Sequence, residues 1–347
     1  MLIENVLIIA DVKSNRYKHV FAVRRWLVKK VPSVWKLRLS MVGTLAIIIG
    51  LSTLVFALIL SLFGPIDLVT LGVLVGAFNV FQWLISPYII DALYRTREIS
   101  KSENPRLHEI VENLSRKSGL KKPRLMLAQI PIPNAFAYGS PIAGNRVAVT
   151  SGLLKTLDYE EVEAVLGHEL GHLKHRDVQI MMLVSLLPAL FYYIGYSLML
   201  SSMYRRQRDE GGGAALLGMG FMAFSWILNL FTLHLSRLRE YYADRHSALI
   251  VDNGAQKLSV GLAKIVHATR SMGRARKQMQ QLNAFKALFI TDPDRAETDS
   301  MMLSASDEQK LVQEILMQKV TTLDKIIEIF STHPNIVKRL KALRELS

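Results

Sequence analysis

In AVLGHELGHLKHRD, residues 164–177, His168 and His172 stand four apart with Glu169 between them. On a helix this spacing turns both imidazoles the same way, about 5–6 Å apart. Two ring nitrogens can then share one metal ion, zinc being the usual partner of H-E-x-x-H. Glu169 would sit beside the metal and take a proton from a water that attacks a polarised peptide carbonyl. Gly167 and Gly171 flank the pair. Glycine costs a helix about 1 kcal/mol, which is easier to explain where something must approach the backbone closely.

A catalytic zinc needs a third protein ligand. The chain has no cysteine, so thiol ligands, thiol catalysis and disulfides are excluded, and histidine and carboxylate must hold any metal. In SRLREYYADRHSA, residues 236–248, Glu240 and Asp244 are again four apart. Glu240 can complete a two-histidine, one-glutamate set. Asp244 can accept the outward N–H of a liganding histidine and fix its tautomer. An amphipathic helix with both acids paired to Arg237, Arg239 or Arg245 fits the same residues.

The elements that must position these groups are membrane helices. Residues 41–63, 68–90, 178–200 and 213–235 carry no charge, and each is near the ~20 residues needed to cross a hydrocarbon core. Four such spans form two hairpins, with a turn at Gly64-Pro65-Ile66-Asp67 and a loop around residues 205–213. The basic residues before the first span, Arg24, Arg25, Lys29, Lys30, Lys36 and Arg38, put both termini and the middle segment in the cytoplasm. The net charge of +14 is then a topology signal. No RNA-binding motif or aromatic-basic interleaving favours a nucleic-acid partner.

The expected organisation is a basic segment 1–40, a membrane hairpin 41–90, a first catalytic half 91–177, a second hairpin 178–235 and a second catalytic half 236–347. Residues 103–119 predict a helix. RLMLAQI, NAFAYG and RVAVT predict a small antiparallel sheet, and Ser151 and Asp158 cap the helices that follow. The C-terminal part reads as helical, broken near Thr291-Asp292-Pro293 and His333-Pro334, with 268–300 as an insertion or linker. The fold class is a mainly α polytopic membrane protein: four transmembrane helices and a cytoplasmic zincin-like α+β domain. If the third and fourth spans continue straight out of the membrane, His172 and Glu240 each sit ~8–9 Å beyond the apolar boundary at 1.5 Å per residue.

The chain resembles the HtpX-type membrane zinc metallopeptidases, relatives of the CAAX prenyl endopeptidases, from about residue 68 to 345. The resemblance rests on NAFAYG at 134–139, VAVTSGLL at 147–154, GHELGH at 167–172, SRLREYYAD at 236–244 and STHPNIVKRL at 331–340. It implies one zinc held by His168, His172 and Glu240, Glu169 as acid/base, Asp244 behind the ligands, and His333 with Arg339 completing the site. It also implies an endopeptidase of the cell membrane, active on the cytoplasmic side and linked to quality control of misfolded membrane proteins. Tyr138 stands where the family usually has threonine, and Asn335 where it usually has a second proline. Residues 1–40 are not explained by the resemblance.

His333 lies at a bend fixed by Pro334, where its ring could donate to the oxyanion formed as water attacks; a solvent-facing histidine at a helix start is the other reading. The strand bearing Asn134, Ala135 and Phe136 could be the sheet edge that an extended substrate joins. Alternatively, Phe136 packs in the core and Asn134 holds a turn. Hydroxyl side chains aside, the spans offer only Asn79, Gln82, Gln179, Asn229 and His234 as polar candidates, too few ionisable ones for ion transport. A prenyl-protein processing protease and a non-catalytic membrane scaffold are the remaining alternatives.

Overall fold

A run of apolar side chains without a charge can lie in lipid only if its backbone bonds internally, and a helix does this alone. The computed structural model describes residues 68–205, 212–271 and 308–347. The stretch from Leu68 accordingly forms α1 (Leu68–Tyr94), followed by β1 (Thr96–Glu98), α2 (Pro105–Ser118), β2 (Arg124–Ala128), β3 (Ala135–Ser140) and β4 (Gly144–Thr150). Then come α3 (Ser151–Thr156), α4 (Tyr159–Lys174), α5 (Asp177–Arg205), α6 (Gly212–Ile250) and α7 (Gly254–Ser271). The described chain ends with α8 (Glu308–Met317), α9 (Thr322–Ile329) and α10 (Ile336–Arg344). The expected span 41–63, the turn at Gly64–Asp67 and the basic segment 1–40 lie outside the described residues. So does most of 268–300, although 268–271 complete α7 rather than begin a linker.

Among the described residues, three helices are long and apolar enough to cross a membrane: α1, α5 and α6. Large apolar side chains such as Phe81, Leu183, Leu216, Leu217 and Phe231 point outward from them, as suits lipid. Where α5 and α6 cross, a Cβ on Gly195 would lie 2.6 Å from the Gly218 carbonyl oxygen, and the reverse distance is also 2.6 Å. Small residues let helix backbones touch where lipid provides no hydrophobic drive. Ser225 Oγ donates to the Pro188 carbonyl at 2.7 Å across the same pair.

The sheet is mixed, not antiparallel as expected from the sequence. Its order is β1-β2-β4-β3, with β1 antiparallel to β2, β2 parallel to β4, and β3 antiparallel to β4. The reason lies between β2 and β3. That connection contains Pro131 and Pro133, which cannot donate to a ladder, and it carries the chain one strand-width too far for direct pairing. β4 returns through a tight turn and fills the gap, which leaves β3 at an edge.

Alternate residues of the strands serve opposite faces. Leu125, Leu127, Ala135, Ala137, Val147 and Val149 join the core shared with α2, α4 and α7. Met126, Ala128, Phe136, Tyr138 and Ala148 pack with Ile90 and Tyr94 of α1. Phe136 lies between Tyr94 and Tyr138, with ring centroids 5.2 and 5.5 Å away. A polar clamp strengthens this second face. Asp91 of α1 pairs with the buried Arg146 of β4 and accepts from Tyr138 at 2.7 Å, while Ser140 donates to the Leu84 carbonyl at 3.0 Å. Tyr138, where a threonine is usual, therefore helps tie a membrane helix to the sheet.

Candidate metal and active site

The site forms where α4 meets the outer half of α6. At the start of α4, the Glu161 carboxylate accepts from the Asp158 N–H at 3.0 Å. Further along, a Cβ on Gly167 would stand 3.0 Å from Ser247 Oγ, and one on Gly171 would stand 3.0 Å from Ala243 Cα. The two glycines thus allow α6 to lie against the histidine face of α4. Ser247 Oγ donates to the Ala164 carbonyl at 2.6 Å in the same contact.

This approach gathers His168, His172 and Glu240, whose ligand atoms all lie within 4.8 Å of one another. The two Nε2 atoms face each other at 3.1 Å. Glu240 Oε1 is 3.5 Å from His172 Nε2, and its Oε2 is 3.7 Å from His168 Nε2. Each histidine turns its other nitrogen to a carboxylate: His168 Nδ1 to Asp244 at 2.9 Å, and His172 Nδ1 to Asp177 at 2.7 Å. The two Nε2 atoms thus point toward one another and toward a carboxylate. Two imidazole nitrogens and a carboxylate converging in this way fit a cation that takes the place of the intervening proton.

Asp177 was not legible in the sequence. The expectation that α4 would continue into the third span does not hold: the helix breaks at His175 and Arg176, where Arg176 takes the left-handed conformation (φ 54°). The break swings Asp177 back toward His172, and Arg239 of α6 pairs with it. No motif spacing marks such a residue, because it reaches the site around a turn. By contrast, α6 does run unbroken from the lipid-facing part to Glu240.

Arg339 of α10 is fully buried. Its Nε and Nη2 donate to Asp244 at 2.9 and 2.6 Å, and Nη1 lies 3.1 Å from Glu240. Burial opposes its charge, but the two carboxylates outweigh that and hold the guanidinium above its ordinary range. His333 is buried too, with Nδ1 3.3 Å from Glu240 Oε2, while its Nε2 has no hydrogen-bond partner among the described residues. Arg237, also missed from sequence, donates to the carbonyls of Glu328, Ile329 and Ser331 at 2.8, 3.2 and 2.7 Å, fixing the loop that bears His333. Asn335, in the place of a usual proline, caps α10 by accepting from the Val337 N–H at 2.8 Å.

Glu169 is buried between the ligands and the sheet edge. Burial pushes its carboxyl up to about 8, partly offset by His172 and by the Ala137 N–H that donates to it. Burial holds His168 below its ordinary value, which keeps the imidazole neutral as a ligand must be. Burial would depress His172 as well, but the Asp177, Glu240 and Glu169 carboxylates lift it to about 9. Ala135 lies beside this region on β3, whereas Asn134 ties the strand to Thr150, its N–H donating to Thr150 Oγ1 at 2.9 Å. A cavity of ≈ 340 Å³ opens beside His172, lined by Gly139, Asn145, Lys174 and Arg176 among others.

Three membrane-length helices and a buried histidine–carboxylate group able to hold a metal define a multi-pass membrane protein with a candidate metal centre. The sequence model for peptidase family M48 matches residues 101–347, and the chain belongs to that family. It is 40% identical over 273 residues to a "Protease HtpX homolog" of Thermoplasma acidophilum, covering 77% of this chain and 82% of the relative. It is 38% identical to a protein of the same description from Aeropyrum pernix, over 89% and 96% of the two chains. The resemblance to HtpX-type proteins is thereby borne out. Among solved structures, S. mikatae Ste24p matches with a TM-score of 0.52 at 18% identity, over 89% of this chain and 66% of that one. This last likeness concerns the fold.

Proposed function

We propose that this chain is a zinc-dependent integral membrane endopeptidase of the cell membrane. Its site would face the cytoplasm, and its substrates would be misfolded membrane proteins. The observation that carries the reading is the facing pair of Nε2 atoms at 3.1 Å, with Glu240 closing the third side. Asp177, Glu240 and Asp244 gather around the histidines, with Arg239 and Arg339 as the arginine partners. A divalent cation would take the place of the protons that the site otherwise keeps on His172 and Glu169.

His168, His172 and Glu240 would hold the zinc, which when bound supplies a Lewis acid that acidifies water and polarises a carbonyl. Asp244 and Asp177 keep the imidazoles in the tautomer that presents Nε2. Glu169 accepts the water proton at its carboxylate and passes it to the leaving amine. Its upward shift matches a base better to neutral pH than an ordinary carboxylate would be. His333, free at Nε2, donates to the developing oxyanion, and Arg339 holds the acids around it in place. The open edge of β3, from Asn134 through Ala135 and Phe136, takes the extended substrate as an added strand. Selection there would rest on backbone bonds, because Phe136 packs into the core.

Glu169→Gln and His333→Ala, purified in detergent with zinc and an unfolded protein substrate, test the assignment. Both should bind one zinc per chain. Glu169→Gln should lose hydrolysis, whereas His333→Ala should keep its KM and lose about 10²–10³ in kcat. Undiminished cleavage by Glu169→Gln would overturn the reading.

A further inference from the structure

Helix α9 is packed inside out. Its polar side faces the protein: Glu328 is 7% exposed, accepting from the Asn335 N–H at 3.1 Å and pairing with Lys338. Its outward side is apolar, with Leu323 48%, Ile326 40% and Ile329 45% exposed, followed by Phe330 at 38%. Leu323, Ile326 and Phe330 recur at three- and four-residue intervals and so form one stripe. In water this arrangement would forfeit the burial that normally holds a short helix in place.

The stripe continues a surface already assigned to lipid. The Phe330 ring lies 6.4 Å from that of Trp226, which points outward from α6 at 52% exposure and belongs to a membrane-length helix. Arg237, just past the uncharged stretch of α6, caps the last carbonyls of α9. The backbone end of α9 is therefore held by Arg237 near where α6 passes from apolar to charged residues. The Phe330 ring reaches down toward Trp226 inside the uncharged stretch. Its other end is closed by Thr321 and Asp324, each accepting the other's backbone N–H. A capped helix, fixed at that level with its apolar side outward, suits one environment.

We infer that α9 lies in the plane of the bilayer surface, its Leu323–Ile326–Phe330 stripe seated in the boundary between headgroups and acyl chains. Amphipathic helices of this kind sink about 5–10 Å into that boundary. Lys325, exposed on the flank, has a stem long enough to reach a lipid phosphate. The loop carrying His333 begins where α9 ends, so the bilayer surface becomes one wall supporting the site.

The natural lack of cysteine makes the test direct. Single variants Leu323→Cys, Ile326→Cys and, as an exposed control on α2, Glu109→Cys would be labelled with bimane and reconstituted into phosphatidylcholine vesicles. Doxyl groups near the headgroup should quench labels at 323 and 326 more strongly than doxyl groups at the chain end, and aqueous iodide should quench only the label at 109. Iodide quenching at 323 and 326 would overturn the proposal by placing the stripe in water. Protection from both quenchers would overturn it too, by showing that another part of the chain or a second copy covers the stripe.

Discussion

The two halves of α6 solve opposite problems. From Gly213 to His234 the helix points Leu216, Leu217, Phe224, Trp226 and Phe231 outward, and its closest contact is glycine on glycine. From Arg237 onward it buries Arg237, Glu240, Asp244 and Ser247, and every one of them meets a partner on another element. In the first half close packing and a single hydroxyl bond from Ser225 hold the neighbour, because leaving lipid gains nothing. In the second, charges are taken out of water and must be matched to one another. One continuous helix thus couples a surface that tolerates change to a centre that does not.

The sharpest break in that contrast is Arg339→Met. Removing one partner of a buried charge network leaves Asp244 and Glu240 uncompensated, and about 3–5 kcal/mol of stability should be lost. Phe231→Leu on the outward face should stay within about 0.5 kcal/mol. Denaturant or heat unfolding in detergent measures both, and equal losses would erase the distinction between the halves.

Smaller effects should come from the two helix crossings. Gly195→Ala and Gly171→Ala each place a methyl against backbone, and overpacking of this kind costs about 1–3 kcal/mol. Only Gly171→Ala should also weaken metal binding, since it pushes α6 and Glu240 away from the histidines. Parallel zinc titrations of the two variants would show whether the halves report separately. Asp177→Asn preserves shape but removes the charge that orients His172 and pairs with Arg239. Its zinc affinity should fall about 10–100-fold, as read by competition with a chromogenic chelator.

What the sequence revealed and what it hid follow from the range of the interactions. His168, His172, Glu240 and Asp244 were legible because metal chemistry imposes a spacing that one helix turn satisfies. The three described spans were legible because lipid permits no charge for some twenty residues. Sheet order was not, since whether β2 pairs with β3 or β4 depends on where the proline-bearing connection carries the chain. Asp177 was hidden behind a helix break at Arg176, a residue whose type gives no sign of a left-handed backbone. The inverted polarity of α9 was hidden for another reason: an amphipathic pattern reads the same whichever side faces the protein.

The unbroken course of α6 sets a reach. Leu235, the last residue of its uncharged stretch, is five residues from Glu240, or ~7–8 Å along a helix. An extended polypeptide covers that distance with about three residues. On the proposed function, a protein still anchored in the same bilayer would need to offer only a short unstructured stub beside its own membrane segment to be cut. A neighbour folded tightly down to the lipid has no such stub. A peptidase so placed would discriminate by how far a chain has frayed at the membrane surface, with no sequence being read.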